Sequence, residues 1–89
     1  MPFRVLEIQP TPNPNAAKFV LDKEIAPQPT SFFSRDSAAG HPIASRLFAI
    51  PGVVSILLLG DFVTVNKSPS AKWDKITSAV ETTLSTAAD

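Results

Sequence analysis

The chain has 89 residues, 44% of them hydrophobic, and its eight basic and eight acidic side chains cancel to a formal net charge of +0. That length bounds it to one domain near the lower size limit for folding without disulfides or metals, and the balanced charge offers no basic patch for nucleic acid or an anionic membrane. With no cysteine at all, disulfides, thiolate metal sites, sulfur ligation of iron–sulfur clusters and cysteine nucleophiles are excluded together.

The opening MPFRVLEIQ lacks an apolar stretch long enough for a signal peptide, and no later run reaches membrane-spanning length; the expected compartment is the cytoplasm. Residues 3–9 alternate Arg4, Leu6 and Ile8 against Phe3, Val5 and Glu7, a strand pattern that stops at Pro10. The following loop has proline at every second position (Pro10, Pro12, Pro14), so Gln9, Thr11 and Asn13 are held extended or at turn corners. Two readings of that loop stand. It is a rigid connector whose Asn side chains bond nearby backbone, or a recognition loop presenting Thr11, Asn13 and Asn15, with Lys18 just beyond.

Residues 17–21 resume alternation, with Ala17, Phe19 and Leu21 on one side and Lys18 and Val20 on the other, predicting a second strand antiparallel to the first. Residues 22–29 read as a connector containing Pro27 and Pro29, residues 30–35 as a short third strand, and residues 36–40 as a loop. His41-Pro42 opens a helix, with proline at a favoured first position. Ile43, Leu47 and Ile50 form its apolar stripe, widened by Ala44 and Phe48, while Ser45 and Arg46 face away; Pro51-Gly52 ends it.

The next stretch, residues 53–67 (VVSILLLGDFVTVNK), predicts a β-hairpin turning at Gly60-Asp61. A two-residue loop sets Leu58 opposite Val63 and Ile56 opposite Val65. Val54, Ile56, Leu58, Val63 and Val65 then share an apolar core face, and Leu57, Leu59 and Phe62 lie on the mixed opposite face. There they form a partner surface or pack under the 22–35 connector. Ser68-Pro69 reads as a second helix start, followed by an amphipathic stripe of Trp73, Ile76, Val80, Leu84 and Ala87. The order β-β-(β)-α-β-β-α predicts an α+β, two-layer domain, a mostly antiparallel sheet with two helices on one face.

Chemistry is sparse. No phosphate-binding glycine loop, dinucleotide fingerprint or nucleophile elbow is present. His41, the only histidine, reads first as a helix cap and second as a metal ligand or base. Trp73 reads as core packing. The expectation is a protein that is not an enzyme and has no evident cofactor.

Thr11-Pro12-Asn13-Pro14-Asn15 with Lys18-Phe19 resembles the opening motif of the N-terminal domain of Nfu/NifU-type scaffold proteins. Pro42-Ile43-Ala44, Leu47-Phe48-Ala49-Ile50, Pro51-Gly52-Val53, residues 61–67 and Trp73 follow in the family's order, so the likeness runs from about Phe3 to Leu84. The resemblance implies a setting in iron–sulfur cluster assembly or delivery, with assembly or client proteins as partners. In longer family members a second domain holds the cluster on a C-x-x-C motif; without cysteine, this chain cannot take over that carrier role. A small departure is His41, where a serine cap is common. The leading expectation is a non-catalytic interaction module whose partner surface draws on Thr11, Asn13, Asn15, Lys18, Leu57, Leu59, Asp61 and Phe62. The alternatives are direct iron binding through ligands such as His41, Asp36 and Asp61, and a small enzyme of unfamiliar type.

Overall fold

The 53–67 stretch forms the hairpin its alternation predicts. In a computed structural model, which describes residues 3–86, β4 (Val53–Gly60) pairs with β5 (Phe62–Lys67) in the register Leu58 to Val63 and Ile56 to Val65. Gly60 has φ +56° and, among the described residues, no non-glycine residue has positive φ, so the two-residue loop relies on glycine at its first position, where a side chain would be strained. The turn carbonyls are both used: Leu21 N–H donates to Asp61 O at 2.6 Å and Ile25 N–H to Gly60 O at 2.7 Å.

Three further strands complete the sheet: β1 (Val5–Pro10), β2 (Ala16–Leu21) and β3 (Ala26–Phe32). Their order is β1-β2-β5-β4-β3 and every pairing is antiparallel. Three helices follow β3 and β5: α1 (Arg35–Ala38), α2 (Pro42–Phe48) and α3 (Trp73–Thr86). The result is the expected α+β arrangement, with one extra helical turn before α2.

Residues opposite one another share a sheet face. The rows Ile8–Phe19–Val63–Leu58 and Ala17–Val65–Ile56–Phe32 therefore face one way. On them pack Ile43, Ala44, Leu47 and Phe48 of α2 and Ile76, Val80 and Leu84 of α3, all buried in one cluster. The predicted stripes hold, except that Ala87 lies outside the described residues. Leu57, Leu59 and Phe62 are half-buried, whereas Ile56, Leu58 and Val63 are at most 2% exposed. That ordering fixes the hairpin register as predicted.

Several local expectations are corrected. Val54 is 47% exposed, not in the core, because a bulge between Val53 and Ser55 turns it outward and leaves Val53 packed on the cluster. The third strand covers Ala26–Phe32 and not 30–35. Pro27 and Pro29 are tolerated because β3 is a sheet edge with an irregular register between Ala26 and Thr30, where no ladder donor is required. β3 thus lies beside β4 and does not roof Leu57. Residues 36–40 are not all loop: Ser34 accepts the Ser37 N–H and Ser37 Oγ the Ser34 N–H, a reciprocal cap that closes α1. Ser68-Pro69 does not start α3. Ser68 N–H is committed to Gly52 O, and Ala71 N–H to Ser68 O, so the segment forms a turn and the helix begins at Trp73. β1 begins at Val5, two residues later than expected.

Candidate functional site

The 11–15 loop joins β1 to β2 at one end of the sheet. Its prolines leave few N–H donors, and its side chains bind what remains. Thr11 Oγ1 donates to Asn13 O and accepts the Asn13 N–H, while Asn13 Oδ1 accepts the Asn15 N–H at 2.9 Å. Ala16 N–H closes onto Asn13 O at 3.0 Å. The connector geometry is therefore present at Thr11 and Asn13.

Two residues distant in sequence tie this loop down. Lys67, only 8% exposed, directs Nζ to Asn15 Oδ1 at 3.1 Å and Ser68 O at 3.4 Å, and its backbone N–H donates to Asn15 O. Trp73 Nε1 donates to Pro14 O at 3.0 Å, and the Lys67 ammonium lies 5.6 Å from the Trp73 ring centroid. All these acceptors are neutral. Trp73 packs partly on the core as expected, but its N–H also needs an acceptor, and the proline carbonyl supplies it. Reading the residues one at a time missed this staple; its one signal was that Lys67 and Trp73 lie inside the recognisable signature along with TPNPN.

The face of the sheet turned away from the helices carries two rows beside a third of Ala16, Asn66 and Ser55. Glu7, Val20, Phe62 and Leu59 form one; Gln9, Lys18, Thr64, Leu57 and Ser31 form the other. Val20, Phe62, Leu59 and Leu57 are half-buried and adjacent, on the side of the sheet away from the core that α2 and α3 pack on. Lys18 lies across this patch, its Nζ 4.2 Å from the Phe62 ring centroid, a contact worth about 0.5–1 kcal/mol at a surface. The structure therefore gathers Lys18, Leu57, Leu59 and Phe62. Exposed Asp61 sits at the hairpin tip beside the same row, whereas Thr11, Asn13 and Asn15 lie at the opposite end of β2 and β5.

His41 caps α2. Its Nδ1 accepts the Ile43 and Ala44 N–H groups at 3.2 and 3.0 Å, which puts the ring proton on Nε2, and the ring meets Phe32 edge-on at 5.4 Å. Partial burial lowers its pKa below 6.5. Nδ1 is thus already engaged, and among the described residues no three His, Cys, Asp or Glu side chains are placed to share a metal ion. His41, Asp36 and Asp61 are not brought together as a ligand set. An iron–sulfur cluster held by thiolates does not fit a chain without cysteine. The hollow of about 320 Å³ between the loop and α3 is lined by groups such as Ile8, Pro14, Trp73 and Thr77, with no ionisable side chain. No helix among the described residues is long and apolar enough to cross a membrane.

Comparison with known proteins agrees with this architecture. NifU-like protein 4, mitochondrial, of Arabidopsis thaliana is 37% identical over 70 residues, covering 78% of this chain but 25% of that protein. The chain spans about a quarter of the length of the curated relatives it matches. The crystal structure of protein SAV1430 from Staphylococcus aureus aligns with a TM-score of 0.75 at 26% identity, covering 90% of this chain and 96% of that one. The solution structure of a NifU-like protein from Saccharomyces cerevisiae aligns with a TM-score of 0.73 at 26% identity, covering 92% and 77%. The family model described as scaffold protein Nfu/NifU N terminal matches residues 6–89. The chain belongs to the Nfu/NifU N-terminal family.

Proposed function

We propose that this domain is a non-catalytic docking module in iron–sulfur cluster assembly or delivery, which binds assembly or client proteins and carries no cluster itself. One observation carries the reading furthest. In a scaffold-family domain without thiolates, the sheet face opposite the helices presents a contiguous half-buried patch of Val20, Phe62, Leu59 and Leu57, with Lys18 across it. An adjacent apolar group of this kind on one face fits a partner surface, and Lys18 and Asp61 supply polar margins. The loop residues Thr11, Asn13 and Asn15 play a supporting part, holding the end of β2 in place. Cytoplasmic location belongs to the same proposal.

Affinity capture from native extract tests it. Tagged wild-type domain should enrich iron–sulfur assembly proteins or their clients, and Leu57→Ser/Phe62→Ser should lose them. Asn13→Ala should retain most of that enrichment. Capture of no iron–sulfur protein, or equal capture by the open-face variant, contradicts the reading.

A further inference from the structure

A second surface lies on the helical side of the sheet. The turn that enters β4 and the first half of α3 enclose a hollow of about 720 Å³, open to solvent. Its accessible apolar lining is Pro51, Ala71 and Ala79, backed by the core residues Ile50 and Ile76. Its rim is polar and basic: Ser68, Ser70, Lys72 and Lys75. No carboxylate is among the lining residues; Asp74, exposed in the first turn of α3, is not one of them. Buried Lys67 adds a further positive charge next to Ser68, with only neutral acceptors on its ammonium. The formal net charge of +0 therefore conceals a locally basic edge around an apolar hollow.

The walls are set by backbone contacts, so the shape does not depend on an occupant. Ser68 N–H donates to Gly52 O at 2.7 Å and Ala71 N–H to Ser68 O at 2.9 Å. Gly52 has φ +97°, and a Cβ there would come within 2.6 Å of Ala71 Cβ; only glycine lets the two segments approach this closely.

The geometry points to this hollow as a docking site for an acidic segment of a partner protein, one aliphatic or aromatic side chain seated on the Pro51/Ala71/Ala79 floor and flanking carboxylates paired with Lys72 and Lys75. Charge complementarity selects that occupant. A basic or neutral segment would leave both lysines unpaired, and an apolar anchor answers a floor with no polar group. The site is on the opposite side of the sheet from the Leu57/Phe62 patch, so it stands whether or not that patch binds iron–sulfur proteins.

Selection from a phage-displayed random peptide library against the whole chain tests it. Enriched peptides should share a large apolar residue with Asp or Glu within two positions. The best of them, as a synthetic peptide, should bind K72E/K75E at least about fivefold more weakly, since two exposed ion pairs are worth roughly 1 kcal/mol together. Added salt should weaken the wild-type complex in the same direction. Acidic residues near the start of α3 favour the helix, so the double variant should melt no lower than wild type, separating lost binding from lost folding. Enrichment of peptides without acidic residues, affinity unchanged in K72E/K75E, or no enrichment at all overturns the proposal. So does binding abolished by Phe62→Ser and untouched by K72E/K75E. A concentration-dependent dimer lost in K72E/K75E would instead make the occupant a second copy, through its Asp22, Glu24 and Asp61 end, and would equally overturn it.

Discussion

The 11–15 loop and the open sheet face both meet solvent, yet they use their side chains in opposite ways. In the loop, Asn13 and Asn15 bond their own backbone or Lys67, and the Pro14 carbonyl is taken by Trp73. On the open face, Val20, Leu57, Leu59 and Phe62 stay half-exposed beside one another, with the Lys18 ammonium over the Phe62 ring. The contrast separates two reasons for a residue to stand out in a sequence. The loop side chains are tied by hydrogen bonds; the open-face side chains are apolar and half-exposed. Substitutions should therefore divide cleanly between those that cost stability and those that cost binding.

The largest expected effect contrasts the two sides of the sheet. Phe19 is fully buried on the core side and Phe62 half-buried on the other. Phe19→Ala should destabilise by about 3–5 kcal/mol through lost transfer energy and a cavity. Phe62→Ala should cost roughly 1 kcal/mol or less, mainly its contact with Lys18. Urea unfolding of both proteins checks this, and similar losses would erase the distinction between the faces.

Next comes the staple. Lys67→Met keeps the aliphatic stem but removes the bonds to Asn15 and Ser68, leaving a part-buried amide oxygen unpartnered, at a cost of about 1–3 kcal/mol. Asn15→Ala should lose less on the Lys67→Met background than alone, because the two share one interaction. Additive losses in a double-mutant cycle would show that the pair is not coupled.

The smallest effect is a pH dependence at the α2 cap. Neutral His41 accepts two N–H groups through Nδ1, and burial depresses its pKa below 6.5. The unfolded state then binds the proton more readily, so the cap's contribution is complete above 6.5 and is lost as pH falls through 6.5 toward the lowered native value. His41→Ala should cost about 1 kcal/mol above that range and less below it. His41→Asn, which caps without titrating, should remove this part of the pH dependence. A wild-type stability profile that matches His41→Asn across the range would contradict the assignment.

How much of this was legible in advance follows from the range of the interactions concerned. The hairpin register, the Ala17/Phe19/Leu21 face and the Ile43/Leu47 stripe are written in local periodicity, and all appear as read. Strand β3 was placed late because Pro27 and Pro29 signal a break unless the strand is known to be an edge, which is a property of the whole sheet. The α1 turn rests on a two-serine cap inside four helical residues, too short for any periodicity. The Val54 bulge reflects pairing with Lys67, and the Lys67–Asn15 contact spans 52 residues. No window along the chain reveals that tether. The separation of Asp61 and the open face from the 11–15 loop was likewise invisible until β2 and β5 were seen to pair antiparallel.

The most direct test of the central claim is binding at the open face with stability held constant. For an iron–sulfur assembly or client protein captured by the wild-type domain, titration calorimetry should show binding lost or weakened at least about tenfold in Leu57→Ser/Phe62→Ser, about 1.4 kcal/mol. The variant's urea midpoint should stay close to wild type, and Asn13→Ala should bind as wild type does. Undiminished affinity in the open-face variant would contradict the account.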